Sequence, residues 1–346
     1  MYHKTSQQNI FICLVSALLF LVPVFALASG PLTVRDAANR SVSVPGKVNK
    51  ILITCYGGVT HQMVVLGAEG KIVGQPSMKR FPQLLKMRPQ LATIPDAGSF
   101  DNINIEKIFA LEPEVVFAGI ISRKGNKHIE DMRFPLVTMF IGKARIDVMK
   151  EEFLRTGKIL GKQDRAKALV DYWDEKLALI HKRVQVIHPD KRLRVYYAGS
   201  DFLHTEGRTW WTQDLLNLTG AVNVAEELDQ ARETTLEKVL QWDPDVIVVS
   251  RLRGKKNRVQ DILNNPQLTD IKAVKNKRVY EFPIGAFWWN RPSPEAPLGF
   301  LWLTKTLYPK LMVDIDMKKE TKYFFKTFFD YELSDTEYNA FINVKK

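Results

Sequence analysis

Short runs of β-branched and aromatic residues alternate with helically spaced apolar positions along most of the chain. "KILIT" (50–54), "KIVGQ" (71–75), "VVFAG" (115–119) and "LVTMF" (136–140) are predicted as buried strands of a first parallel sheet. "RVYYAG" (194–199), "VIVVS" (246–250) and "RVYEF" (278–282) are predicted as strands of a second. The fold class is therefore α/β, with two lobes, each a mostly parallel sheet flanked by helices. Between them lies Gln163 to Ile187, without Gly or Pro, in which Leu169, Val170, Trp173, Leu177, Ile180 and Val184 recur at helical spacing. One helix of that length extends roughly 37 Å and joins the lobes as a stiff strut, where a Gly- and Ser-rich linker would have been a hinge. The expected organisation is a leader over 1–28, a first lobe over 29–145, a connecting helical segment over 146–188 and a second lobe with C-terminal helices over 189–346.

Part of this pattern occurs twice. "NIEKIFALEPEVVFAG" (Asn104–Gly119) and "TLEKVLQWDPDVIVVS" (Thr235–Ser250) align at an offset of 131 residues, the difference between Glu237 and Glu106. In each copy a glutamate opens a helix, a proline follows the helix end and an apolar strand comes next. A carboxylate in the first turn offsets the helix dipole by about 0.3–1 kcal/mol. That accounts for either glutamate alone, but poorly for the same exposed acid in both lobes.

Lys4, the apolar run from Ile10 to Leu27 and the small-residue triplet Ala26–Ala28 have the anatomy of a secretory signal, with cleavage expected after Ala28. Cys13 lies inside that run. Cys55 is the only other cysteine, so the mature chain is expected to form no internal disulfide, and its stability must come from its cores. The formal charge of +12 favours an anionic ligand, an anionic membrane surface or nucleic acid. Export argues against nucleic acid. No P-loop, Ser-His-Asp order or pair of catalytic acids is discernible, so no enzyme activity is expected.

The two copies, together with "ILITCYGGVTHQMVVLGAEGKIVG" near the start and "FWWNRPSPEAPLGFLWLTKTLYP" near the end, resemble the periplasmic substrate-binding proteins of ABC importers for siderophores, haem and vitamin B12. The resemblance covers essentially the whole mature chain. It implies two lobes joined by a rigid helix, a periplasmic location, no cofactor and no stable oligomer. It also implies that Glu106 and Glu237 dock onto arginines of a permease dimer that works with its ATPase.

In such a fold the ligand lies between the lobes, at loops after the carboxyl ends of strands. Those loops supply Tyr56, His61, Phe100, Arg123, His204, Arg251, Trp288, Trp289 and Arg291 as candidate ligand contacts. Phe100 stands where the vitamin B12 binder of this family stacks on its ligand, and Trp288, Trp289 and Arg291 lie in a segment resembling one from which that protein contacts its ligand. One of the two tryptophans is expected to cover the ligand. Ser293 followed by Pro294 predicts a helix N-cap that fixes Arg291 at the cleft. His61, His128 and His204 suggest a rival site for a bare metal ion, with His61 and His204 its weak candidates, but no paired spacing supports one. Haem-binding relatives place a tyrosine where this chain has "GSFDN" (98–102). The expected ligand is therefore an iron chelate, foremost a ferric siderophore. A corrinoid or haem, and a two-lobed chelatase-like enzyme, are the alternatives.

Overall fold

The structure is a computed structural model that describes residues 1–2, 30–141, 145–229, 233–250 and 258–342. The expected leader and the basic run containing Arg251 lie outside the described residues, apart from Met1, Tyr2 and Arg258.

The first lobe opens with an antiparallel hairpin, β1 (Leu32–Arg35) and β2 (Ser41–Val44). It continues through β3 (Ile51–Ile53), α1 (Val59–Val65), β4 (Ile72–Gly74), α2 (Pro82–Met87), the short pair β5 (Gly98–Ser99) and β6 (Asn102–Ile103), α3 (Ile105–Leu111), β7 (Val115–Gly119), α4 (Arg123–Asp131) and β8 (Leu136–Met139). Two helices follow, α5 (Ile146–Leu160) and α6 (Gln163–Val184). The second lobe runs β9 (Arg194–Ala198), α7 (Trp211–Leu218), β10 (Val222–Asn223), α8 (Leu236–Trp242), β11 (Val246–Val249), α9 (Arg258–Leu263), α10 (Lys272–Lys275) and β12 (Val279–Glu281). The chain ends with α11 (Ala296–Leu307), α12 (Met317–Phe329) and α13 (Asp335–Ile342).

Each lobe holds a four-stranded, wholly parallel sheet, in the order β4-β3-β7-β8 in the first and β10-β9-β11-β12 in the second. Both orders read 2-1-3-4 within their lobe, so the repeat seen in the sequence extends to topology. Strands buried on both faces need unbroken apolar runs, which is why "VVFAG" and "VIVV" are buried throughout. The switch in winding direction falls between β3 and β7 in one lobe and between β9 and β11 in the other. There the loops after the strand carboxyl ends diverge and leave a crevice.

The strut helix α6 buries Leu169, Val170, Trp173, Ile180 and Val184 as its spacing predicts. His181, Lys182 and Arg183 in its last turn complement its dipole. Both ends are tied down. Arg165 donates to the Val65 carbonyl and to that of Phe328, while Arg183 donates to the Leu311 carbonyl and pairs with Asp314. At the middle, Trp173 packs on Phe153 and Trp211 and donates its indole N–H to the Pro294 carbonyl.

The last two helices, α12 and α13, depart from the expected organisation, which assigned all the C-terminal helices to the second lobe; α11 does lie against that lobe, with Trp302 on Phe282 and the Tyr308 hydroxyl just beyond it donating to the Gly220 carbonyl. The last two cross back onto the first. Arg88 beside α2 donates to the Phe329 carbonyl, and Gln83 and Lys86 on α2 both meet Glu337 of α13. Residues of α1, α6, α11 and α12 share one continuous core. The physical reason is that α12 is too apolar for a solvated tail: Phe324, Phe325, Phe328 and Phe329 are all buried.

Candidate ligand-binding cleft

The crevice floor is made where the lobes touch. Gly58 opens α1 with a φ of 79°, and a Cβ there would stand 3.3 Å from the Pro292 carbonyl. Glycine satisfies both the left-handed backbone and the close approach. Above this floor a cavity of about 190 Å³ is lined by Gly57, Ile121 and Ile141 from the first lobe and by Trp210, Phe287, Trp288, Arg291 and Pro292 from the second. A larger pocket of about 570 Å³ adjoins it on the other side of Trp288, walled by Arg80, Phe81, Lys86, Ile284 and Phe341, among others.

The candidate contacts differ in burial and position. Tyr56, Phe100 and Trp288 are half-buried at the crevice. Tyr56 and Phe100 lie 6.4 Å apart, ring to ring. Phe100 is held at a φ of 55° by a hydrogen bond from its N–H to the Thr54 carbonyl. Arg123 is exposed in the first turn of α4, and His204 is half-buried in the loop after β9, where its backbone bridges to Glu233. Arg251 lies outside the described residues.

His61 and Trp289 are corrections. His61 is 1% exposed. It packs edge-on against Phe81 and Phe287, and its Nε2 is 2.8 Å from the Ala286 carbonyl. Burial lowers its pKa to about 4, against the pull of that carbonyl, so it is a neutral pin between the lobes. Trp289 is fully buried, with its indole N–H donated to Glu295. Glu295 also accepts from the backbone N–H groups of Ala286 and Phe287, so one buried carboxyl organises the whole turn. Desolvation pushes its pKa up to about 8 despite those three donors. Among the described residues, no group of three histidine, cysteine or carboxylate side chains converges as a metal site would require.

Arg291 is also placed differently from expectation. Ser293 is not an N-cap; α11 begins at Ala296 with Glu295 at the cap position and Pro297 in the first turn. The guanidinium of Arg291 lines the cavity but gives one N–H to Glu206, 2.6 Å away. Glu206 is buried, and its second oxygen accepts from Thr212. Burial opposes the arginine's charge, but Glu206 and the neighbouring Tyr197 outweigh it and raise its pKa. The charge of Arg291 is thus already balanced before any ligand arrives.

A residue missed in the sequence carries the uncompensated charge. Arg80 is exposed, with its guanidinium 4.5 Å from the Tyr56 ring and 5.8 Å from that of Trp288. Among the described residues it has no carboxylate partner. It stands in the loop after β4, a strand-end loop as eligible as those considered. Glu206 could also have been noticed, since "FLHTEG" (202–207) was already a cleft segment. The small cavity is thus walled by Trp210, Phe287 and Trp288 with the balanced Arg291, while the free guanidinium of Arg80 lines the adjoining larger pocket, 5.8 Å from the Trp288 ring that the two share.

Two similar lobes, matching sheet orders, a stiff connecting helix and an interlobe crevice define the class: a two-lobed receptor for a small ligand. The chain belongs to the periplasmic binding protein family, which it matches over residues 52–284, and is a substrate-binding protein of the ABC-importer kind. It is 30% identical to the molybdate-binding protein MolA of Haemophilus influenzae over 345 residues, covering 92% of this chain and 94% of that one. The molybdate-bound structure of MolA superposes with a TM-score of 0.76 at 27% identity, covering 88% of this chain and 99% of MolA. A periplasmic solute binding protein from Veillonella parvula superposes equally well, at 0.76 and 26% identity over 91% of this chain and 97% of that one. The Fe(3+)-citrate-binding protein YfmC of Bacillus subtilis is 27% identical over 53% of this chain and 58% of its own. These relatives are transport proteins, and the family works outside the cytoplasm.

Proposed function

We propose that this protein captures a compact oxyanion of the molybdate type in the crevice and delivers it to an inner-membrane importer, docking through Glu106 and Glu237. The observation that carries the ligand reading is the size of the cavity. At about 190 Å³ it falls below the roughly 300–1,000 Å³ typical of pockets for drug-sized ligands. A tetrahedral oxyanion fits such a space; a ferric siderophore or a tetrapyrrole is much larger. The free guanidinium of Arg80 lies in the adjoining pocket, across the shared Trp288, and adds positive potential near the cavity mouth, and the similarity to MolA supports the same ligand class. The leader at 1–28 is read as the export signal.

A small iron chelate is the second reading, favoured by the apolar pocket on the far side of Trp288. Titration by tryptophan fluorescence and calorimetry decides between the two, with molybdate, tungstate, sulfate, ferric citrate and a ferric hydroxamate as the panel. Saturable one-to-one binding of molybdate or tungstate is expected, without turnover. Binding of the ferric complexes alone would refute the oxyanion reading and favour the chelate.

The docking reading rests on two exposed acids presented alike. Glu106 and Glu237 each stand in the first turn of a seven-residue helix. Glu106→Lys with Glu237→Lys should abolish uptake and leave ligand affinity nearly unchanged; uptake that persists in the double variant excludes this docking face.

A further inference from the structure

The repeated helices carry more than a pair of acids. In α3 the buried residue is Ile108, while Ile105 is 42% and Phe109 67% exposed. In α8 the equivalents at the same 131-residue offset are Val239, inward, Leu236, half-buried against the core of its own lobe, and Leu240, 37% exposed. Both helices are fixed identically at each end. Asn104 caps the Lys107 N–H and Thr235 caps the Lys238 N–H; Glu112 and Asp243 then end the helices in the left-handed conformation, at φ 46° and 41°, just before Pro113 and Pro244. The outward side chains are therefore presented in the same geometry on each lobe.

A single exposed apolar residue requires no explanation. Two large ones at matched positions do, because nothing in the helix itself needs them. Phe109 makes little contact with its own lobe, and a lysine or glutamine there would serve helix propensity as well. Each stands three residues after its glutamate, hence beside it on the helix surface. An apolar anchor flanked by a charge is the arrangement found at the energetic centre of protein interfaces. Acidic spots beside apolar anchors suit a partner that presents basic side chains around an apolar recess.

We propose that Phe109, flanked by Ile105, on one lobe and Leu240 on the other form two matched apolar pads that seat in matching recesses of a two-fold symmetric membrane partner, the importer dimer. A partner that meets the same surface twice must itself offer the same surface twice, which closed two-fold symmetry provides. The pads supply contact that salt does not screen, and the glutamates set the register. This rests on the reading that these faces meet the importer.

The test measures affinity of the full-length mature protein, saturated with molybdate, for its importer in proteoliposomes at low and high salt. Three proteins are compared: wild type, Phe109→Ser with Leu240→Ser, and Glu106→Lys with Glu237→Lys. Unchanged molybdate titrations and melting curves establish that the variants are folded. The pad variant should lose about tenfold or more at both salt concentrations, and each single serine substitution about half of that logarithmic loss. The lysine variant should lose most at low salt. If the lysine variant fails to dock while the pad variant stays within twofold of wild type, the pads are refuted and the docking face stands. If neither variant changes docking, both readings fall. If the protein alone dimerises in sedimentation and Phe109→Ser abolishes it, the occupant is a second copy and the proposal is overturned.

Discussion

Removing Arg291 should damage the fold before it damages binding. From its sequence context the residue looks like a ligand-facing charge whose loss leaves stability untouched. The structure instead pairs it with Glu206, 2.6 Å away, with side-chain exposures of 20% and 2%. In Arg291→Ala the glutamate stays buried with only Thr212 as a side-chain donor. Breaking a buried pair from one side costs about 3–5 kcal/mol, and the partial exposure of the arginine places this case near the low end, at about 3 kcal/mol. For a chain of this length that is a fall in melting temperature of about 4–5 °C. Arg291→Met combined with Glu206→Met removes both charges and should recover most of the loss, giving a coupling of about 2 kcal/mol. Urea and thermal unfolding of wild type, both single variants and the double variant measure this directly. An Arg291→Ala protein within 0.5 kcal/mol of wild type would refute the argument, because it would mean that Glu206 finds water or another donor at no cost.

Arg80→Ala should weaken molybdate binding about tenfold at low salt, with Arg80→Lys in between because it keeps the charge and loses the stacked planar fork; equal affinities would remove Arg80 from the site. Small-angle scattering with and without ligand should nearly superimpose, since the strut, His61 and the returning C-terminal helices all tie the lobes together; marked compaction would contradict this. Burial raises the carboxyl pKa of Glu152 to about 7 and that of Glu295 to about 8. In that range the folded state holds protons that the unfolded chain has released, so these two groups make stability decline as pH rises from about 4.5 to 8. Glu152→Gln should flatten that slope in unfolding curves collected between pH 5 and 8, and an unchanged slope would exclude Glu152 as its source.

What was legible in the sequence is what periodicity and repetition encode. Strands buried on both faces leave unbroken apolar runs, so the seven main strands were readable; β10, only Val222–Asn223, is too short to leave such a run. The start and buried face of α6 followed from spacing alone, although the helix ends at Val184, three residues before the expected Ile187. Destination was harder to read than type. The apolar face of α12 signals burial but not against which lobe. Within the site, aromatic and basic loop residues could be collected, but which tryptophan turns inward depends on Glu295, six residues beyond Trp289. Arg291 and Glu206 lie 85 residues apart, and their pairing depends on the register of two loops.

The return of α12 and α13 to the first lobe also fixes an order of assembly. Gln83 and Glu337, 254 residues apart, are hydrogen-bonded, and Arg88 reaches the Phe329 carbonyl across 241. A chain emerging from its N-terminus completes both sheets before it can cover α1 and α2, because the cover is made last. Contacts of such separation are slow to form and leave apolar surface open in the interval. Cutting the chain after α11 would therefore strip the lobe made first and spare the one beside the cut.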